Sequence, residues 1–304
     1  MNTLELHKVR KSYDKFVAVD DLSFNIAAGT MFGLLGPNGA GKTSTIRMMM
    51  GITYPDSGDV RIFGEPFRRE HLQRIGYLPE ERGLYPKMKV IEQLIFLGQT
   101  HGLSGAEAKK RALAWGERLE IATSFQKKTN ELSKGMQQKI QFIATLMHDP
   151  EFIVMDEPFA GLDPLNTRLL EDVLLDLNRK GRTILFSSHR MDQVEKICDS
   201  ICLVNKGQGV LQGELKAVKG RYGKNTVQIE FAENGDFDPS FLSRNPLVQK
   251  LDSYEGHVQL KLVPGADAQQ LLREVVGRSR VDRFEVMEPS LEEIFIDVVG
   301  NNNG

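Results

Sequence analysis

GPNGAGKTS, Gly36 to Ser44, is the stretch from which the fold is read. It fits the phosphate-loop pattern G-x-x-x-x-G-K-[ST] through Gly36, Pro37, Asn38, Gly39, Ala40, Gly41, Lys42 and Thr43, with Ser44 next. Each residue type has a reason to be there. Glycines let the backbone curl until successive N–H groups face one anion. Lys42 brings a positive charge to the β- and γ-phosphates, and Thr43 a hydroxyl to Mg²⁺. Apolar Met31, Phe32, Leu34 and Leu35 predict a buried strand before the loop. Thr45 to Met50 predicts a helix after it, whose positive dipole end faces the phosphates. A structural glycine turn is the bland alternative.

Working outward, strands are expected at 4–10, 22–27 and 59–63, and helices over Val90–Gln99, about 105–119 and about 134–148. Phe152 to Met155 is apolar on both faces, as a central parallel strand is, and ends in Asp156-Glu157-Pro158. A helix opens at Pro164, and Thr183–Phe186 is another buried strand. Alternating strands and helices imply an α/β fold with a parallel sheet. After about residue 220 half-exposed strands alternate in period two, which predicts a separate α+β unit over 223–300. Its last helix starts at a capping box, Ser290 with Glu293, and its stripe of Leu291, Ile294, Phe295 and Val298 packs on its own sheet or on a partner. The tail 301–304 is expected to be disordered.

The chain has 304 residues, enough for about two domains. A formal charge of −2 gives no basic field for nucleic acid. Cys198 and Cys202 are spaced for one helix face, yet no further ligand joins them, so buried free thiols are expected rather than a metal site. No apolar run approaches the ~20 residues that span a bilayer, so a soluble chain is expected.

The chemistry concentrates at the ends of the apolar strands. Asp156 sits where a P-loop enzyme holds Mg²⁺, and Glu157, next along, can orient and deprotonate an attacking water. His189, after Ser187-Ser188 at the next strand end, can donate to the γ-phosphate. Ser133 is an N-cap at the start of a helix, a second anion-binding surface. One phosphate loop and two phosphate surfaces in one chain are reconciled by a head-to-tail dimer.

With these motifs in this order, residues 1–220 resemble the ATP-binding subunit of an ABC transporter. The resemblance implies a P-loop cassette: a parallel core sheet, an antiparallel β subdomain and a helical subdomain over about 84–150. LPEERGLYPKM, Leu78 to Met88, stands where the family has its Q-loop, with Glu80 in place of the metal-binding Gln. LSKGMQQ resembles the signature LSGGQ, keeping Ser133 and Gly135 but placing Lys134 and Met136 at altered positions. AGLD, Ala160 to Asp163, resembles the D-loop, and Tyr13 falls where an aromatic stacks on adenine. The departures and the ending EPSLEEIFIDVV resemble a subgroup of ABC-2-type exporter ATPases, similar to sodium-efflux and drug-resistance subunits. ATP with Mg²⁺, an integral-membrane permease and attachment through it to the cytoplasmic face of the membrane are implied. A homodimer is expected, with a heterodimer open. Val90–Leu97, Tyr85 and Phe96 are candidates for the permease contact, or for core packing. The alternative is a soluble ABC ATPase acting on ribosomes or DNA, against which the single cassette, missing heptads and charge of −2 weigh.

Overall fold

The computed structural model describes residues 1–81, 83–223, 226–232, 240–254 and 256–301. They divide into two compact units, Met1–Glu214 and Leu215–Gly304. The division lies ahead of the expected 220/223 boundary, because Leu215–Arg221 forms a helix that belongs to the second unit.

The first unit opens with a long hairpin, β1 (Asn2–Tyr13) and β2 (Phe16–Ala27), where two shorter strands were expected. Asp14 has φ 51°, a left-handed conformation that Asp tolerates, and so the turn closes on Asp14-Lys15. Next come β3 (Met31–Leu35), α1 (Lys42–Met49), β4 (Ser57–Ile62) and the two-residue β5 (Glu65–Pro66). An antiparallel sheet runs in the order β2-β1-β4-β5. The chain continues through β6 (Ile75–Leu78), α2 (Val90–Thr100), α3 (Gly105–Arg118) and α4 (Lys134–Leu146). It then adds β7 (Phe152–Asp156), α5 (Pro164–Arg179), β8 (Thr183–Ser188), α6 (Met191–Ile197), β9 (Ser200–Asn205) and β10 (Gln208–Glu214).

The central sheet has the order β10-β9-β3-β8-β7-β6; β9 to β6 are mutually parallel and β10 is antiparallel on the edge. Every residue of β3, β7 and β8 is buried, as strands covered on both faces must be. Each Leu, Ile or Phe in this layer contributes about 2–3 kcal/mol of burial. Truncating the fully buried Phe152 to Ala would cost about 3–5 kcal/mol. Strands β6 and β9 escape a reading of the sequence because each is short and carries small or polar residues among its apolar ones. Cys198 ends α6 in an extended conformation and Cys202 lies in β9, so the two do not share a helix face. Both are buried free thiols, with burial pushing Cys198 well up and Cys202 to about 12.

The second unit comprises α7 (Leu215–Arg221), β11 (Thr226–Phe231), α8 (Ser240–Ser243), β12 (Val248–Tyr254), β13 (His257–Leu262), α9 (Ala268–Val276), β14 (Val281–Met287) and α10 (Leu291–Asn301). Its antiparallel sheet has the order β12-β13-β11-β14. Val227, Ile229, Val258 and Leu260 on one face pack with Leu271 and Val275 of α9. The capping box forms: Glu293 N–H donates to Ser290 Oγ at 3.1 Å, and Glu293 Oε2 accepts from Ser290 N–H at 2.7 Å. Leu291 and Ile294 are buried, and Asp297 pairs with Lys261 of β13 at 2.9 Å. Of the tail 301–304, Asn301 ends α10 and the rest lies outside the described residues.

Candidate functional site

The loop between β3 and α1 can turn as it does only with glycine at two places. At Gly36 a Cβ would lie 2.2 Å from Val204 O, and at Gly41, with φ 107°, 2.4 Å from Ala18 O. The helix begins at Lys42, three residues ahead of the expected Thr45, so its free N–H groups come directly off the loop. Thr45 Oγ1 is held by Gly41 O at 2.9 Å. Lys42 is buried and folded back: its Nζ donates to Gly36 O at 2.8 Å and Pro37 O at 3.3 Å, and lies 3.4 Å from Glu157 Oε1.

Asn38, Gly39, Ala40, Gly41, Lys42, Thr43 and Ser44 line one cavity of about 320 Å³, which Glu80 and Glu157 also face. Strand order explains the meeting: β8 lies between β3 and β7, so the ends of all three point into one crevice. Ser187 of β8 ties the carboxylates together. Its Oγ donates to Asp156 Oδ1 at 2.5 Å and accepts from the Glu157 N–H at 3.0 Å. Asp156 is 1% exposed, and its second oxygen, Oδ2, meets no donor among the described residues. A buried carboxylate oxygen left without a donor is suited to a cation. Glu157 has φ 49°, a strained left-handed conformation for a non-glycine residue, of the kind found at functional sites. His189 Nδ1 is 3.0 Å from Glu157 Oε2; a carboxylate only accepts, so that nitrogen carries the hydrogen. Tyr77 records the negative charge here: burial first, then Asp156 and Glu80, push its hydroxyl to about 12.

Four of the residues singled out in the sequence lie elsewhere. Ser133 caps α4, its Oγ accepting from Met136 N–H at 3.3 Å, and Lys134 beside it is exposed. Gly135 lies at the same helix start, where a Cβ would meet Leu162 Cδ2 at 3.6 Å. Asp163 caps α5, its Oδ1 accepting from Asn166 N–H at 3.0 Å, a bond that lowers its pKa. Tyr13 does not line the cavity; Phe16, its partner across the hairpin, does so together with Ala18. Phe16 is 63% exposed, an aromatic face open to a flat ligand. The tight turn at Asp14-Lys15 was the signal that could have found it, since it sets Tyr13 and Phe16 opposite each other.

Comparison with known proteins accords with this geometry. A family model for ABC transporters matches residues 19–160, and one for the C-terminal domain of DrrA1-3-like ATP-binding proteins matches residues 213–299. The chain is 44% identical over 298 residues to the ABC transporter ATP-binding protein YhaQ of Bacillus subtilis, covering 98% of each. It is 32% identical to the linearmycin resistance ATP-binding protein LnrL of Bacillus subtilis, covering 98% of each. With the Nod factor export ATP-binding protein I of Paraburkholderia xenovorans it shares 33% identity, over 98% of this chain and 97% of that one. A solved ATP-binding subunit of an ABC transporter superposes with a TM-score of 0.68 at 29% identity, over 73% of this chain and 93% of the other. With a phosphate loop, paired strand-end carboxylates and full-length relatives of one kind, the chain belongs to the ABC transporter family, as one of its ATP-hydrolysing, ATP-binding subunits.

Proposed function

We propose that this subunit binds ATP with Mg²⁺ over the start of α1, closes on it as a head-to-tail homodimer, and drives an exporter-type membrane permease from its cytoplasmic face. The observation that supports it most is the cavity that gathers Lys42, Thr43, Glu80 and Glu157, the last of which follows Asp156, whose Oδ2 meets no donor among the described residues. Lys42 leaves Gly36 O, Pro37 O and Glu157 for the β- and γ-phosphates. Thr43, Glu80 and Asp156 are the residues that would hold Mg²⁺, which would there neutralise phosphate charge. Departure of the Lys42 ammonium frees Glu157 Oε1 to take a proton from water, while His189 keeps Oε2 in place. The other ring nitrogen of His189, Nε2, is left for the γ-phosphate. Phe16 stacks on the adenine. Ser133 and Gly135 at the α4 N-terminus, with Asp163, face the nucleotide of the opposite chain.

Export is supported by the resistance and export relatives and by the DrrA-like second unit. Among the described residues no helix is long and apolar enough to cross a membrane, so the membrane path is assigned to a partner permease. Tyr85 and Phe96 are 50% and 42% exposed and meet edge-on at 6.1 Å, an apolar pair suited to that contact. Glu157→Gln is the test. Turnover should fall by about 10²–10⁴ while ATP-dependent dimers accumulate on gel filtration. Near-normal hydrolysis would remove Glu157 as the base.

A further inference from the structure

A second cavity, of about 160 Å³, lies between β6, the Q-loop segment, α2 and α4, lined by Tyr77, Leu84, Leu97, His101, Gln141 and His148. It is smaller than the ~300–1,000 Å³ typical of small-molecule and cofactor sites, and fits the tip of one side chain.

Two of its side chains, Gln141 and His148, hold acceptors that no donor answers among the described residues. Gln141 is 5% exposed; its Nε2 donates to Glu81 O at 3.5 Å, and its Oε1 is buried with no donor among the described residues. His101 and His148 stack at 3.8 Å between ring centroids, 13° from parallel. His148 Nε2 lies 3.1 Å from Ile75 O, and a carbonyl only accepts, so Nε2 carries the hydrogen. Burial, then His101, lower the His148 pKa to about 4, which leaves Nδ1 as a bare lone pair at neutral pH. Both His148 Nδ1 and His101 Nδ1 are buried without a hydrogen-bond partner among the described residues. Thr145 Oγ1, also in the lining, is already committed to Tyr77 O at 3.4 Å. Arg111 and Asp149 both act on His148, and Arg111 is spent on Glu107 and on Met147 O. Acceptors left without donors in an apolar, aromatic-walled hole cost free energy until a donor arrives.

The geometry points to this cavity as the socket for an arginine side chain of the partner permease, whose guanidinium donates to Gln141 Oε1 and His148 Nδ1 and stacks on the aromatic walls. Arginine fits because it carries several planar N–H donors, accepts nothing, and packs flat on aromatic faces. The identity of the partner rests on the transport reading; the chemistry of the socket does not. Occupancy also reaches the nucleotide. Gln141 is tied to Glu81, and the neighbouring Glu80 lines the phosphate cavity. Gln141 rides on α4, the helix that begins at Ser133.

The test uses the full chain with ¹⁵N-labelled imidazoles and acetyl-arginine amide as probe. A saturable shift of the His148 signal is expected, with acetyl-norleucine amide giving none. Gln141→Leu should weaken the probe about tenfold, and Gln141→Glu, which keeps the acceptors and adds charge, should tighten it by a similar factor. Both variants should bind ATP as the parent does. No saturable shift, an equal response to the norleucine probe, or the same affinity in both variants would overturn the assignment. Failure of the tagged parent chain to capture any membrane protein, with the arginine response intact, would refute the transport reading and leave the socket supported.

Discussion

Ser187→Ala isolates one hydroxyl that holds both strand-end carboxylates. Ser187 is fully buried, donates to Asp156 Oδ1 at 2.5 Å and accepts from Glu157 N–H at 3.0 Å. Since Asp156 Oδ2 already lacks a donor, the variant leaves a 1%-exposed carboxylate with no donor among the described residues. A hydrogen bond to a charged group contributes about 1.5–3 kcal/mol, and an orphaned buried N–H costs about 1–3 kcal/mol. Water entering from the adjacent cavity recovers part of this, so a net loss of about 3 kcal/mol is expected. Urea unfolding followed by tryptophan fluorescence is the assay. The chain has one tryptophan, Trp115, in α3, so the signal reports the first unit alone and avoids the two-unit ambiguity. At an unchanged m-value the midpoint should fall by about 1 M. Ser188→Ala is the control. Among the described residues its hydroxyl bonds only the Arg190 N–H, which it accepts at 3.0 Å, and its loss should cost about 1 kcal/mol. Equal effects of the two substitutions, or a Ser187→Ala midpoint within about 0.3 M of the parent, would refute the idea that one hydroxyl holds the carboxylate pair.

Phe16→Ala should weaken ATP about tenfold by losing a base stack, while Tyr13→Ala changes affinity little; a fluorescent ATP analogue reads both, and the reverse order would restore Tyr13. Gly41→Ala should abolish nucleotide binding, because its Cβ would lie 2.4 Å from Ala18 O at a φ of 107°; a variant that still binds ATP with parental affinity would show that the loop can give way. His148 is depressed from an ordinary 6.5 to about 4, with burial first and the His101 ring second, and with Asp149 and Arg111 also acting on it. Between these values the unfolded chain binds the proton and the folded chain does not. Stability is therefore full above about pH 6.5 and falls by up to about 3 kcal/mol as pH drops to 4, and His148→Gln should flatten that slope in urea titrations.

Much of this protein was legible because its signals are local. The phosphate loop is a run of contiguous residues whose glycines answer to their own backbone conformations. The Ser133, Asp163 and Ser290 caps each bond a neighbour three residues on. The runs that became β3, β7 and β8 announce their burial by being apolar on both faces. From these the α/β cassette and the candidate carboxylates follow from the sequence by itself. Tertiary structure alone decided which distant groups meet. The order β3-β8-β7 sets Ser187 between Asp156 and Glu157 and brings Lys42 within 3.4 Å of Glu157. A tight hairpin turn puts Phe16 rather than Tyr13 at the cavity beside the phosphate loop. The packing of α2 and α4 beside β6 stacks His101 on His148 and leaves Gln141 with an acceptor that no donor answers among the described residues. A residue pattern encodes how each strand or helix is buried, but not which neighbour covers it. That choice depends on the packing of the whole chain, and the pairings the chemistry uses are made there.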